Sequence, residues 1–214
     1  MAEKRRFPTF TWDADTHPRL PRLTTANLTA VTRRAQILAT AAELFAARGF
    51  HGVSVADLGA ACGISGPALY KHFPSKDAML AEMLVSISEE LLAVGRRRVA
   101  EADAPAAALA ALVDWHASFA LGQRSLIVVQ DRDWESLPAT ARERVRTLQR
   151  EYVDLWAEQL RLVHGGLALD RARAMAHATF GLLNSTPHSG LLPDEPMHAL
   201  LVDMALAALG VPRP

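Results

Sequence analysis

The stretch Ser54-Val-Ala-Asp-Leu-Gly-Ala-Ala-Cys-Gly-Ile-Ser-Gly-Pro-Ala-Leu-Tyr-Lys-His-Phe-Pro-Ser-Lys-Asp77 decides how the rest of the chain is read. Ser54 is a good N-cap, and Asp57, three positions on, completes a capping box. Val55, Leu58 and Cys62 then fall at i, i+3 and i+7, one face of a short helix. Gly63 can take the left-handed conformation that closes this helix, and Ile64 plugs the corner. Ser65 caps a second helix with Pro67 in its first turn, where a missing N–H costs nothing. On that helix Leu69 and Phe73 face a core. Gly66, Pro67, Ala68, Tyr70, Lys71 and His72 are left outside, a mix of small, aromatic and basic side chains suited to the wall of a nucleic-acid groove. Pro74 ends the helix, and Ser75 caps a third with Lys76 at the mouth of the motif, placed to reach a backbone phosphate. The pattern predicts a helix-turn-helix.

The run from Arg48 to Val55, Arg-Gly-Phe-His-Gly-Val-Ser-Val, followed by Gly63 to Asp77, closely resembles the DNA-binding domain of TetR-family transcriptional regulators. The likeness covers about residues 30 to 85. It rests on the Gly-Phe-x-Gly turn, the Leu-Tyr-x-His-Phe core and the Ser-Lys-Asp helix start at that family's spacing. One position departs from it, Ala68 standing where members often carry a hydroxyl residue before the Leu-Tyr pair. The resemblance implies an all-α fold, in which a three-helix DNA-binding domain is joined to a larger helical ligand-binding and dimerisation domain. It also implies a double-stranded DNA operator, a homodimer and a small-molecule effector. The candidate DNA-contacting residues are Ser54, Ser65, Gly66, Pro67, Ala68, Tyr70, Lys71, His72 and Lys76.

Composition agrees. A chain of 214 residues, half of them hydrophobic, can bury a core in a small domain fused to a larger one. The net charge is zero, but residues 1–77 hold ten Lys/Arg against six Asp/Glu, and residues 78–214 hold thirteen against seventeen. Positive charge is therefore concentrated where DNA would dock. The single cysteine, Cys62, lies on an apolar helix face and reads as a structural thiol; no intrachain disulfide is possible with one cysteine. No 18-residue apolar run and no signal-peptide pattern occurs, so a cytoplasmic protein without a membrane segment is expected.

Residues 1–27 lack periodicity and read as an arm. Its Lys4, Arg5 and Arg6 either reach a minor groove or are solvated, and Phe10 and Trp12 have no evident place. From about Leu28 a helix capped by Thr29 or Thr32 carries Ile37, Ala41, Leu44 and Phe45 and ends at Gly49. Its Arg33 and Arg34 either touch phosphate or form a solvated face. The expected domains are thus residues 1–27 as an arm, 28–77 as the DNA-binding domain, and 78–214 as the ligand-binding and dimerisation domain. The helix from Ser75 to about Val94 is long enough to serve both of the latter. Further helices start at Pro105 and Pro138, after Asp170 as a cap, and near Glu195, with a short piece over Leu126 to Val129. Glycines 165 and 166 and Pro187 are the breaks.

No HExxH, GxSxG, GxxxxGKS or GxGxxG occurs, and the histidines do not fall at zinc-ligand spacing, so no enzyme, metal or cofactor is expected. His116 beside Trp115 and Phe119 reads as a core or pocket residue, and Asp131-Arg-Asp-Trp-Glu135 as a salt-bridged loop. Trp115, His116, Phe119, Trp134, Tyr152, Trp156, His177 and Asn184 are the candidate ligand-binding residues, each of them ordinary core in the bland alternative. Gln130-Asp-Arg-Asp-Trp-Glu and Gly181-Leu-Leu-Asn-Ser-Thr-Pro187 look like a branch of the family with members that respond to acyl-coenzyme A or lipid-like metabolites. Phe180, Leu183, Leu200, Leu201 and Met204 are candidates for a dimer face. Two functions are carried forward: a repressor released from an inverted-repeat operator by a small hydrophobic, acyl-CoA-like effector, and a helical small-molecule-binding protein or enzyme without DNA binding.

Overall fold

The computed structural model describes residues 25–212, with side chains over 33–212. The basic arm expected over residues 1–27 therefore lies outside the described residues as far as residue 24. Among the described residues the chain forms α-helices without strands: α1 Thr25–Arg48, α2 Val55–Ala61, α3 Gly66–Tyr70, α4 Lys76–Glu101, α5 Pro105–Gly122, α6 Arg124–Asp133, α7 Ala139–Val163, α8 Leu169–Leu183 and α9 Asp194–Leu209. Short 3-10 turns follow α6 at Trp134–Ser136 and α8 at Thr186–His188. None of these helices is long and apolar enough to cross a membrane.

Two apolar cores share one long helix. The first is built by Ile37, Ala41 and Phe45 of α1, Leu58 of α2, Leu69 and Phe73 of the reading segment, and Met79, Leu80, Met83 and Leu84 of α4. Val129 of α6, Leu137 after the 3-10 turn and Val145 of α7 close it from the other side. The second core holds Leu92 of α4 with Leu109, Leu112 and Val113 of α5, Tyr152, Trp156 and Leu160 of α7, and the inner faces of α8 and α9. Periodic apolar residues thus choose both cores, and α4 is a rigid member of each. At Gly95 the crossing is so tight that an added Cβ would come within 2.8 Å of a Tyr152 ring carbon, which fixes α4 against α7.

Several expected boundaries move. The first helix starts at Thr25, so Thr29 and Thr32 lie inside it and do not cap it. The connector α4 runs seven residues past Val94, to Glu101, because Gly95 packs into the α7 crossing and is no stop. Asp170 sits in the first turn of α8, and Ala168 occupies the cap position. The 126–129 piece is a ten-residue helix, and Asp131-Arg-Asp is its last turn, with Trp134 and Glu135 in the 3-10 turn that follows.

Candidate functional site

The reading segment is held by its caps. Ser54 accepts from the Asp57 N–H at 3.1 Å and its own N–H donates to the Asp57 carboxylate at 2.8 Å, which together with the Ser54 hydroxyl holds that carboxyl below its usual range. Gly63, at φ +65°, turns the chain, and Ser65 accepts from the Ala68 N–H at 3.3 Å to start α3. Leu69 and Phe73 anchor α3 in the first core. Ser54, Ser65, Pro67, Tyr70 and Lys71 are exposed, and Gly66, Ala68 and His72 are half-buried beside them. α3 and its two caps thus present six of the nine candidate DNA-contacting residues, with His72 one residue further on and Ser54 at the start of α2.

Lys76 differs. Its ammonium donates to the carbonyls of Phe50 at 2.7 Å and Val53 at 2.8 Å and sits 4.3 Å from the centroid of the Phe50 ring. Two of its three donors tie the α1–α2 loop to α4, which leaves one for the phosphate contact expected from the sequence. Arg33 and Arg34 of α1 are used likewise. Arg34 binds Glu82 through two contacts, donates to the His72 carbonyl and stacks 4.0 Å from the Phe73 ring. Arg33 donates to the Cys62 carbonyl at 2.6 Å. Cys62 is half-buried, and burial pushes its thiol up.

These placements separate two sets of variants. Tyr70 is 53% exposed, so Tyr70→Ala should leave the unfolding midpoint unchanged and, if α3 reads DNA as the sequence suggests, cost about 1–3 kcal/mol at the operator. If α3 reads DNA as the sequence suggests, Lys71→Ala should weaken binding at every sequence and flatten the salt slope by about one unit. Lys76→Ala instead strips donors from two carbonyls and destabilises the fold by about 1–3 kcal/mol, seen as a lower urea midpoint. A Lys76→Ala protein with a wild-type midpoint contradicts this assignment.

A cavity of about 230 Å³ lies between α4, α5, α6, α7 and α8. Five of the eight candidate ligand residues line it: His116, Phe119, Tyr152, His177 and Asn184. Trp115, Trp134 and Trp156 do not. Trp134 packs against the first core with Arg146 5.6 Å from its ring centroid, Trp115 is half-buried elsewhere on α5, and Trp156 is fully buried behind the wall. Bulk and aromaticity made the tryptophans look like pocket residues, whereas their helix faces assign two of them to core packing. Ser88 and Gln149 also line the cavity and were not singled out from the sequence, because polar residues on a helix flank carry no local signal; Gln130 and Asp131, expected in a family-branch segment and a salt-bridged loop, and Phe180, expected at a dimer face, line it too.

The inner wall is a stack of three nearly parallel rings. His116 lies 4.8 Å from Phe180 and 5.8 Å from Tyr152, centroid to centroid, and Tyr152 lies 5.5 Å from Phe180. His116 Nε2 donates to Asn184 Oδ1 at 3.1 Å, which leaves Nδ1 to accept from the Tyr152 hydroxyl at 3.4 Å. Burial drives the imidazole down to about 4 against the Asn184 bond that opposes it, so the ring is neutral. The same burial pushes the Tyr152 hydroxyl up. At the mouth, desolvation raises the Asp131 carboxyl, with His188 opposing.

The last turn of α6 joins this cavity to the unit formed by α1, α2 and α3. Gln130 and Asp131 line the cavity, and the next two residues grip α1. Arg132 donates to the carbonyls of Phe45 and, at 3.0 Å, Ala46 in the last turn of α1, where Phe45 also accepts from the Gly49 N–H. Asp133, 6% exposed, pairs with Arg132 at 3.1 Å and accepts from the Phe50 N–H at 3.2 Å. Ser125 adds a bond to Glu43 at 2.6 Å, and Ser136 one to His51 at 2.9 Å. The sequence suggested a salt-bridged loop here. The pair is a clamp in which an arginine and a carboxylate close off one helix end.

Ser118, His198 and Asp114 also meet, but His198 Nε2 takes both Ser118 Oγ at 3.1 Å and the Asp114 carboxylate at 3.5 Å. A proton relay needs both ring nitrogens, one facing the nucleophile and the other the acid. This trio is a surface tie between α5 and α9.

Residues 37–83 match the family described as bacterial regulatory proteins, tetR family, and residues 102–209 match the one described as tetracyclin repressor-like, C-terminal domain. The HTH-type transcriptional repressor KstR2 of Rhodococcus jostii (strain RHA1) is 33% identical over 125 residues, 58% of this chain. The match spans 61% of that relative, less than two thirds of its length. A TetR-family transcriptional regulator from Bordetella parapertussis 12822 superposes with a TM-score of 0.72 at 26% identity, over 81% of this chain and 93% of that one. The ketosteroid transcriptional regulator KstR2 of Mycobacterium tuberculosis has the same fold, with a TM-score of 0.71 at 21% identity over 85% and 96% of the two chains. The two family matches lie on either side of the second half of α4, one over the reading segment and one over the helices that enclose the cavity, and the chain belongs to the TetR family of transcriptional regulators.

Proposed function

We propose that this regulator is a repressor that binds an inverted-repeat operator as a homodimer and is released by a small hydrophobic effector held in the α4–α8 cavity. Residues 28–77 act as the DNA-reading unit and residues 78–214 as the ligand and dimer unit, with α4 spanning the junction. The observation that carries this reading is α6, which lines the cavity with Gln130 and Asp131 and clamps α1 with Arg132 and Asp133. A ligand that displaces α6 must move or loosen that clamp, and so bias the position of the reading helix. The repressor role is also the one named for the Rhodococcus jostii relative. An acyl-CoA-like effector would place only its acyl end inside, since no Lys or Arg among the described residues lines the cavity to meet its phosphates.

The homodimer reading is supported by apolar stripes on α8 and α9. Leu200 is 42% and Met204 47% exposed, and Ala174, Ala178, Ala207 and Ala208 flank them on the outer faces. Of the other residues suggested by sequence, Leu183 and Leu201 are buried within the subunit and Phe180 lines the cavity, so the stripe rests on Leu200 and Met204. The double variant Leu200→Glu, Met204→Lys should run as a 23.2 kDa monomer in multi-angle light scattering and bind the operator at least about tenfold more weakly. A wild-type protein that is itself monomeric at micromolar concentration overturns the dimer.

The direct test is a gel shift on the DNA upstream of the chain's own reading frame, with and without ligands found by thermal-shift screening. Salt-sensitive binding that a ligand weakens supports the repressor. Ligand binding without any operator binding favours the helical small-molecule-binding protein or enzyme.

A further inference from the structure

We propose that the effector is a ring-bearing amine with a positive charge, and that Asp131 is the residue that selects it; this rests on the effector reading given above. Among the described residues that line the cavity, Asp131 is the one carboxylate and there is neither Lys nor Arg. Asp131 is on the exposed side of the cavity, and its carboxylate forms no ion pair with a described Lys or Arg; partial burial raises its carboxyl, with His188 opposing. A carboxylate that loses water without gaining a cation is destabilised, and a ligand ammonium relieves that cost.

The rest of the wall suits the same molecule. Phe119, Tyr152 and Phe180 bring aromatic rings to the cavity, and the negative faces of such rings attract an ammonium as well as stacking on a ligand ring. His116 is neutral and already bonded to Asn184 and Tyr152, so it offers no charge to an acid. The Asn184 carbonyl is taken by that bond, which leaves its amide N–H groups for a neutral acceptor on the ligand. The volume of about 230 Å³ equals roughly eight waters at ~30 Å³ each, the space of a two-ring aromatic. A carboxylate ligand would face Asp131 with no Lys or Arg in the described lining and only His177 beside the neutral His116, a like-charge contact that specific sites use to reject a wrong partner.

The test uses the full-length protein and three shape-matched probes, naphthylethylamine, naphthylethanol and naphthylacetate, with butyryl-coenzyme A as a fourth. Affinities come from calorimetry. The amine should bind at least roughly tenfold more tightly than the alcohol, and the acid and the thioester more weakly than either. Asp131→Asn should remove the gap between amine and alcohol, and Asp131→Glu should restore much of it. The proposal is overturned if the acid or the thioester binds as tightly as the amine, if Asp131→Asn leaves the ranking unchanged, or if no probe binds. Operator release is read separately in a gel shift. An alcohol or thioester that releases DNA while the amine does not sinks the amine assignment and leaves the effector reading standing. Tight amine binding without any change in operator affinity does the reverse.

Discussion

Trp156→Ala is expected to cost about 3–5 kcal/mol of stability, the cost of deleting a large aromatic side chain from a packed core. Trp156 is fully buried at the centre of the second core and meets the Phe180 ring edge-on at 5.0 Å, with His116 and Tyr152 each at 6.1 Å. Whole domains are stable by only about 5–15 kcal/mol, so the variant should approach the limit of folding at 37 °C. Trp156→Phe keeps most of the volume and should cost less than half as much. Urea unfolding reads both. Because the indole lies behind the cavity wall, any change in ligand affinity in Trp156→Ala reflects slackened packing of Phe180 and Tyr152. A near-normal urea midpoint in Trp156→Ala contradicts the placement of this residue.

The second large effect is acid sensitivity through His116. Its folded value of about 4 lies below the unfolded value of about 6.5, because burial in the ring stack disfavours the imidazolium. The unfolded chain therefore binds the proton more readily than the folded one. The neutral imidazole's contribution is fully present above pH 6.5, falls as pH drops from about 6.5 to about 4, and levels off below that. The whole loss is roughly 3 kcal/mol, from about 1.4 kcal/mol for each unit between the two values. His116→Gln retains hydrogen-bonding capacity toward Asn184 without a titrating ring, and its stability should change less with pH over this window. Urea titrations of both proteins at pH 7 and pH 4.5 measure the difference. Parallel losses in the two proteins would show that other groups carry the acid response.

The reading segment was legible residue by residue because its signals are local. A serine cap, an acidic partner three positions on, a glycine at the corner and a proline in the first turn each act within one helical turn, and Ser54, Asp57, Gly63 and Pro67 all occupy the places these rules give them. The second role of Lys76 was hidden for the opposite reason. Its partners, Phe50 and Val53, lie more than twenty positions away, and no spacing rule reveals an ammonium bound to distant carbonyls. The cavity was half legible. His116, Tyr152 and Asn184 were found by their mixture of ring and polar atoms, but the assignment of Trp156 to core and Phe180 to cavity depends on how α7 and α8 rotate against one another. The clamp was least visible, since Arg132 and Asp133 resemble any exposed ion pair until α6 is seen to lie across the end of α1.

The account turns on whether that clamp transmits ligand binding to the operator. In the wild type, a ligand found by thermal shift should weaken operator affinity by a coupling of about 1–3 kcal/mol, and operator DNA should weaken the ligand by the same factor. Arg132→Ala removes the donors to Phe45 and Ala46 while leaving every described cavity-lining side chain in place. The single measurement is the operator dissociation constant with and without saturating ligand, in wild type and Arg132→Ala, alongside the ligand's own affinity for each protein without DNA. The account predicts unchanged ligand affinity with at least half of the coupling lost; full coupling in Arg132→Ala, with both proteins folded, would contradict it.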